Sequence, residues 1–211
     1  MATRRKRLTH FIEFMSNLLP FVLQLASPLA DRLLVDAVRE LARTHHAPPW
    51  AREDFSILDA TRYLQRACSQ HEQGAGSTYL LTAATGRLLG AVRSANRDWA
   101  HGSFQAECWV RPTEHRNGYA LQALQLLAHR EYRIGMRRLE VMLPADNIAG
   151  VQLSLKLGAR QEGRLLNRLL LAGQRYDALV LGVWLPQLLQ PPVAANPGQN
   201  YDQSETLQAQ G

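Results

Sequence analysis

The spacing of apolar and polar residues along the chain predicts an ordered series of strands and helices. A stripe with helical spacing covers residues 118–134, and Gly135 follows it as glycine typically follows a helix. Further helices are predicted after Ser27 and Pro28, between Ser56 and Gly74, and at residues 147–157. Short apolar runs predict strands at residues 19–25, 78–83, 88–92, 103–111, 139–143, 164–171 and 174–185. The order β-α-α-β-β-β-α-β-α-β-β is typical of an α/β or α+β sheet with four helices.

The two ends of the chain differ in composition from the patterned region at residues 19–187. Four consecutive basic residues, Arg4 to Arg7, stand against the single acid Glu13, so the first 14 residues carry half of the formal net charge of +6. We interpret residues 1–18 as a flexible basic arm, in which contact with nucleic acid is the less favoured reading. Residues 188–211 are rich in Pro, Gln, Asn and Gly, which predicts a disordered tail.

Composition places the chain among globular proteins, with 46% hydrophobic and 20% charged residues. No apolar run approaches the ~18 residues that a membrane span needs, and we expect no membrane partner. The two cysteines, Cys68 and Cys108, form no metal-ligand spacing with the seven histidines, so we predict neither a disulfide framework nor a metal site. A reducing cytoplasm fits this cysteine usage.

The most informative segment is the connection between the predicted strand at 103–111 and the helix that follows it. A glycine-containing loop, residues 115–120, leads directly into the helix. Such a geometry exposes unpaired N–H groups at the positive end of the helix dipole, where anions bind. Gly118 allows the backbone to approach a phosphate closely, and Arg116 can add a charge-assisted hydrogen bond. An ordinary strand–turn–helix connection is the alternative from these residues alone.

This loop resembles the acyl-CoA loop of the GNAT superfamily of N-acetyltransferases, whose pattern is Q/R-x-x-G-x-G/A. His115 stands where that family has Gln or Arg, and Gly118 and Ala120 match the two small positions. Further similarity is specific to the ribosomal-protein N-terminal acetyltransferase branch. It lies in the runs Asp146-Asn147-Ile148-Ala149, Leu157-Gly158, Glu162-Gly163 and the hairpin from Leu171 to Asp177.

The resemblance covers roughly residues 23–185 and implies a fold, a co-substrate and its contacts. The implied GNAT fold is a splayed mixed sheet of about seven strands with four helices, and acetyl-CoA is wedged in the opening. Pantetheine is expected on the backbone of Cys108, Trp109 and Val110. The pyrophosphate is expected on the loop His115, Arg116, Asn117, Gly118, Tyr119 and Ala120. Asn147 is expected near the thioester, with a plain helix cap as its alternative role.

Acetyl transfer requires a neutral amine, a polarised carbonyl and a departing thiolate. Glu107 is the first candidate for the base, and it shares a strand face with Gln105 and Trp109. A surface or ion-paired carboxylate is its alternative reading. Ser154, seven residues after Asn147 on the same helix face, is the candidate acid, although a helix serine often only bonds its own backbone.

Two residues depart from the catalytic positions of the nearest branch. Gly150 stands where that branch often has a serine. Leu169 stands near the position at which a member of that branch has a catalytic glutamate. These departures leave room for a CoA-binding protein with altered catalysis.

The residues expected around the acceptor amine come from two regions. The loop with His45, His46 and Trp50 is expected to wall the acceptor site, and Tyr176 and Asp177 either bound the pocket or pin the last hairpin. A protein N-terminal amine is the first acceptor. A small amine, such as a polyamine, amino acid or antibiotic, is the second, and a non-catalytic acyl-CoA sensor is an alternative of a different class. The oligomeric state does not follow from the sequence.

Overall fold

The computed structural model describes residues 20–45 and 47–189. The predicted basic arm, His46 and all but two residues of the predicted tail lie outside this part of the chain. The strands are β1 (Phe21–Leu25), β2 (Ser77–Ala83), β3 (Leu88–Asp98), β4 (Ser103–Val110), β5 (Arg138–Pro144), β6 (Arg160–Leu171) and β7 (Gln174–Trp184). The α-helices are α1 (Asp31–Ala42), α2 (Ile57–Glu72), α3 (Tyr119–Arg133), α4 (Ile148–Lys156) and α5 (Leu185–Leu189). Short 3-10 turns cover Pro28–Ala30 and Pro112–Glu114.

The seven strands form one mixed sheet in the order β1-β2-β3-β4-β5-β7-β6. Neighbouring strands are antiparallel except β4 and β5, which run parallel. The pairing of β4 with β5 covers only Ser103–Gln105 against Arg138–Glu140, and in the described sheet it continues no further. The sheet is therefore splayed at its middle. This confirms the predicted fold class and leaves the later backbone groups of β4 open on that side.

Two hydrophobic cores cover the two faces of the sheet. One core contains Leu127 of α3 with Leu139 and Leu181 of the central strands, and the short α5 packs against it. The other contains Leu34 of α1 and Leu64 of α2. Helices α1 and α2 lie on one face of the sheet and α3 to α5 on the other. The opening between β4 and β5 therefore has helices on both faces of the sheet.

The start of α2 follows from its sequence. Ser56 and Asp59 form a reciprocal capping box, in which the Ser56 hydroxyl accepts from the Asp59 N–H and the Asp59 carboxylate accepts from the Ser56 N–H. The start of α1 differs from the prediction, since the Ser27 side chain makes no cap hydrogen bond. A 3-10 turn that begins at Pro28 precedes α1 instead.

Two strands and the last helix extend beyond the ends that the sequence predicts. Strand β6 begins at Arg160 and β3 continues to Asp98, each with a bulge that the apolar pattern does not reveal. Leu188 and Leu189, placed in the tail by their neighbours' composition, belong to α5 and pack on the first core. In the described residues, no helix is long and apolar enough to cross a membrane.

Candidate active site

The loop between β4 and α3 is held in shape by its own polar side chains. The His115 ring nitrogen Nε2 lies 3.0 Å from the Val110 carbonyl oxygen, and the Asn117 amide donates to the Glu114 carbonyl at 3.3 Å. His115 therefore closes the loop onto the end of β4. It does so with a side chain that differs from the family's Gln or Arg.

Two residues of this loop adopt left-handed backbone conformations. Arg116 has φ 66° and Gly118 has φ 78°, and Gly118 is the N-cap of α3. The first helical hydrogen bond joins the Gln122 N–H to the Gly118 carbonyl, so the N–H groups of the first turn have no partner within the helix. A Cβ added at Gly118 would meet only the Gln122 amide, at 3.8 Å. An open cradle of N–H donors with Arg116 beside it fits a pyrophosphate.

Glu40 of α1 anchors the base of the loop. Its carboxylate accepts from Arg111 Nε at 2.7 Å and from the Thr113 N–H at 2.9 Å. Burial opposes ionisation of Glu40, but the hydrogen bonds from Thr113 and Arg111 outweigh it and lower its pKa to about 2. On the far side, Arg87 donates to Glu114 at 2.6 Å. These two ion pairs fix the loop to α1 and to the β2–β3 turn.

The side chains of β4 alternate between the two cores. Cys108 and Val110 face the core of α3, and Trp109 packs with the core of α1 and α2. Burial raises the pKa of the Cys108 thiol to about 12, which excludes it as a thiolate nucleophile at neutral pH. The backbone of Cys108 to Val110 pairs with β3 on one side only, because β5 has diverged by this point. This unpaired edge is available to a pantetheine amide.

An aromatic wall stands beside Trp109 on the face of α1 and α2. The Trp50 ring lies 5.0 Å from the Tyr63 ring and 6.3 Å from the Trp109 ring, measured between centroids. Trp50 comes from the loop between α1 and α2, and its predicted role in walling the acceptor site stays a prediction. Gly90 lets β3 approach β4 here, since a Cβ at that position would overlap the Trp109 carbonyl oxygen.

Glu107 lies on the same face as Trp109 and is accessible from solvent, with 53% of its side chain exposed. Its carboxylate lies 3.6 Å from Arg93 Nη1, and the two residues are cross-strand partners. Tyr63 is close to both. The pKa of Tyr63 is raised, mainly by burial. The charge of Arg93 lowers this pKa and the charge of Glu107 raises it, both by less than burial does. The tyrosine is therefore neutral beside the ion pair.

Asn147, expected to contact the cofactor, and Ser154, the candidate acid, both have defined partners in α4. Asn147 is the N-cap of α4, and its side-chain oxygen accepts from the Gly150 N–H at 3.0 Å. Ser154 is 2% exposed, and its hydroxyl donates to the Gly150 carbonyl at 2.9 Å. A proton transfer from Ser154 would have to break this bond inside the helix. The catalytic role of Ser154 stays a prediction.

A cleft of about 400 Å³ lies between the start of α4 and the β6–β7 hairpin. Its lining residues are Ala145, Asp146, Arg164, Arg175, Tyr176 and Asp177. His45, from the loop between α1 and α2, brings Nε2 to 3.9 Å from Asp146 Oδ2. Leu169 pairs with Tyr176 across the hairpin. Tyr176 and Asp177 both line this cleft, and Asp177 also pins the hairpin.

Within residues 20–45 and 47–189, no group of three or more His, Cys, Asp or Glu side chains is placed to hold a metal ion. His46 is outside these ranges.

Sequence reasoning missed Glu40, Arg87 and Arg93, because each acts through a partner that is far away in the chain. Arg111 is 71 residues from Glu40. Only the sheet and the packing of α1 bring such residues together.

Comparison with known proteins decides the family. Residues 23–160, well over half of the chain, match the acetyltransferase (GNAT) domain family. The chain belongs to the GNAT acetyltransferases. It is accordingly an acyl-CoA-dependent N-acetyltransferase with acetyl-CoA as co-substrate. No curated protein matches the chain.

Solved GNAT structures resemble this chain closely in fold. RimL, the ribosomal L7/L12 alpha-N-protein acetyltransferase in complex with CoA, is 18% identical with a TM-score of 0.73, and the match covers 78% of this chain and 94% of RimL. The microcin C7 self-immunity acetyltransferase MccE, in complex with acetyl-CoA and AMP, is 15% identical with a TM-score of 0.71, and the match covers 78% and 92%. Spermidine N-acetyltransferase from Vibrio cholerae, in complex with CoA and spermine, is 13% identical with a TM-score of 0.69, covering 81% and 99%. At such identities the likeness establishes the GNAT fold alone.

Proposed function

We propose that this GNAT enzyme acetylates a protein N-terminal amine by direct attack of the amine on acetyl-CoA. The observation that carries the proposal is the position of Glu107. It lies on β4 at the open part of the splayed sheet, on the face walled by Trp50 and Trp109. A carboxylate at this place can take a proton from an amine that enters along the aromatic wall.

The co-substrate is held by groups that the chain already presents. The first turn of α3, the backbone at Gly118 and the charge of Arg116 would bind the pyrophosphate. The open edge of β4 from Cys108 to Val110 would pair with the pantetheine arm. Bound acetyl-CoA supplies an activated acetyl group as a thioester, which an amine can attack without a covalent enzyme intermediate.

The residues near the reacting atoms have separate roles in this proposal. Glu107 accepts the proton that the amine loses, and Arg93 holds the Glu107 carboxylate on the face of β4. As the amine nitrogen bonds to the acetyl carbon, the carbon–sulfur bond breaks, and the thiolate of CoA takes a proton on leaving. Asn147 lies at the positive end of α4 near the expected thioester, where its amide can orient the substrate.

The choice of acceptor rests on the branch that the sequence resembles. RimL is described as acting on a ribosomal protein N-terminus, and its fold matches this chain over most of its length. A small-molecule amine is the second candidate, favoured by the fold shared with spermidine N-acetyltransferase. Gly150 and Leu169 keep a non-catalytic acyl-CoA sensor as the third.

We also propose a cytoplasmic location and the domain limits given by composition. Both cysteines are free in the structure, which suits a reducing compartment. In this proposal residues 1–18 are an arm and the acetyltransferase domain begins at residue 19. Composition places the end of the domain at residue 187, and since the last helix, α5, continues to Leu189, we move the proposed start of the tail from residue 188 to residue 190.

A thiol-release assay with acetyl-CoA tests the proposal. The acceptor panel consists of peptides with free N-termini, the same peptides with blocked N-termini, spermidine and free amino acids. We expect CoA release with free N-termini and not with blocked ones. Turnover with small amines alone would move the function to the second candidate. Tight CoA binding, measured by calorimetry, without turnover on any amine would leave only the sensor.

A further inference from the structure

The cleft between α4 and the β6–β7 hairpin is lined by four charged side chains, and two of them, Arg164 and Asp177, are paired with each other. Arg164 donates to Asp177 Oδ2, with Nε at 2.9 Å and Nη2 at 2.7 Å. Asp177 Oδ1 also accepts from the Asn167 N–H at 2.8 Å. The Asn167 N–H and then Arg164 lower the pKa of Asp177, so this carboxylate stays ionised and engaged. This pair holds the hairpin and leaves little charge for a ligand.

Arg175 is different, because no carboxylate neutralises it within the described residues. Among the residues that the structure describes, its one hydrogen bond is a long contact of 3.4 Å from Nη1 to the Asn167 carbonyl oxygen. The side chain is exposed and lines the cleft. A guanidinium with free N–H donors in a concave site is suited to a carboxylate, which it can bind through two parallel hydrogen bonds.

The opposite charge lies at the other side of the same cleft. Asp146 lines it, and it immediately precedes Asn147, the residue expected at the thioester. The nearest basic side chain that contacts it is the exposed His45, whose Nε2 lies 3.9 Å from Asp146 Oδ2. The cleft therefore carries an anion, Asp146, at one end, beside the residue expected at the thioester, and at its hairpin end Arg175, which has no carboxylate partner in the described part of the chain.

We infer that this cleft binds the first residues of an acidic N-terminal peptide, with an acidic side chain on Arg175 and the chain running past Asp146 and His45 of the Trp50 loop, so that the terminal amine leaves the cleft toward Glu107. The inference rests on the proposed function and narrows its acceptor class. An open cleft of about 400 Å³ is at the small end of ligand sites, so it suits a short segment of extended peptide. A polyamine would place a second cation against Arg175, and this repulsion selects against it.

The test compares kcat/KM for three peptides of equal length that begin with Ala. They continue with Glu-Glu, Gln-Gln or Lys-Lys, and spermidine is the fourth acceptor. For the unaltered protein we expect kcat/KM to be highest for the Glu peptide, lower for the Gln peptide and lowest for the Lys peptide. Arg175→Gln should reduce the ratio of the Glu peptide to the Gln peptide about threefold to fivefold, as an exposed ion pair would. Arg175→Glu should reverse the preference toward the Lys peptide.

Arg168 provides a matched control. It is an exposed arginine of β6 that does not line the cleft, so Arg168→Gln makes the same charge change on the same hairpin. We expect this variant to keep the peptide ratio of the unaltered protein. If Arg168→Gln and Arg175→Gln change the ratio equally, the preference comes from the overall positive charge of the hairpin and not from a contact with Arg175. The inference then fails.

The remaining outcomes separate this inference from the proposed function. Equal kcat/KM for the three peptides would overturn the acidic preference and leave acetyl transfer standing. To measure binding without chemistry, the Glu peptide is titrated into the CoA complex and followed by calorimetry. If the Glu peptide binds more weakly to Arg175→Gln and no amine is turned over, the acidic-peptide cleft is supported. The proposed acetylation of protein N-terminal amines is then overturned. Absence of both binding and turnover would overturn both.

Discussion

Arg97 donates two hydrogen bonds to Glu131 inside the protein, one from Nε at 2.8 Å and one from Nη2 at 2.6 Å. The two side chains are 5% and 1% exposed. Ser94 and Ser77 complete the site, since the Ser94 hydroxyl also donates to Glu131 and Arg97 Nη2 reaches the Ser77 oxygen at 2.7 Å. Glu131 lies near the end of α3 and Arg97 lies on β3, so the pair fixes to the sheet the helix that follows the loop proposed to bind the co-substrate.

We expect Glu131→Ala to lower the free energy of unfolding by about 3–5 kcal/mol, because it leaves the buried Arg97 without its counter-charge. Chemical denaturation at neutral pH measures this. Glu53→Ala is the control, because the Arg43–Glu53 pair is exposed on both sides and its loss should cost at most about 1 kcal/mol. Similar costs for the two variants would contradict the assignment of Arg97–Glu131 as a buried structural pair.

The Glu40 carboxylate predicts a dependence of stability on pH. Its pKa is about 2 in the folded protein against an ordinary value of 4.5. A folded-state pKa below the unfolded value stabilises the fold above pH 4.5, and this contribution disappears as the pH falls from 4.5 toward 2. The full difference between these two pKa values corresponds to about 3 kcal/mol, and because solvent partly screens this partly exposed pair we expect a contribution of at most about 2–3 kcal/mol. Denaturation curves between pH 7 and pH 3 should show a loss in the unaltered protein that is smaller in Glu40→Gln. Identical pH profiles would show that Glu40 does not anchor the loop.

The charge preference of the α3 N-terminus can be isolated at Gly118. Asn and Asp tolerate a left-handed backbone better than other residues and have the same shape, so Gly118→Asn and Gly118→Asp share any backbone strain. Only the aspartate adds a negative charge where the pyrophosphate is expected. We expect Gly118→Asp to bind CoA at least about fivefold more weakly than Gly118→Asn, because like charges a few ångströms apart repel by ~1 kcal/mol or more. Equal CoA affinities in calorimetry would place the pyrophosphate elsewhere.

The parts of this site that the sequence predicted are those that depend on local patterns. The loop around Gly118 and the cap at Asn147 each need only a few neighbouring residues, and both occur where predicted. The ion pairs of Glu40 with Arg111 and of Arg93 with Glu107 depend on strand pairing and helix packing, which apolar spacing does not encode. The backbone bulge at Asn167, which orients Asp177 and Arg175, is equally invisible because a left-handed asparagine has no fixed sequence pattern.

Ser154 tests whether a helix serine takes part in the chemistry. Its hydroxyl already donates to the Gly150 carbonyl, which the helix itself can satisfy, so Ser154→Ala should leave the fold stable. We expect kcat to fall less than about fivefold, since the thiolate of CoA can leave without a dedicated acid. A fall of about 10²-fold at unchanged KM for acetyl-CoA would instead identify Ser154 as the proton donor.

Glu107 is the residue on which the enzymatic proposal depends most directly. An α-amine has a pKa near ~8 and a lysine-type amine near ~10, so at neutral pH most acceptor is protonated and cannot attack. Glu107→Gln keeps the shape of the side chain and removes the base, so kcat should fall by ~10²-fold or more while acetyl-CoA affinity changes little. Raising the pH should partly restore the rate of this variant, because solvent then deprotonates the amine. Glu53→Gln, a carboxylate outside the site, is the control and should keep the rate at every pH. If Glu107→Gln matches the unaltered enzyme across the whole pH range, Glu107 is only the ion-pair partner of Arg93, and the base must be sought elsewhere.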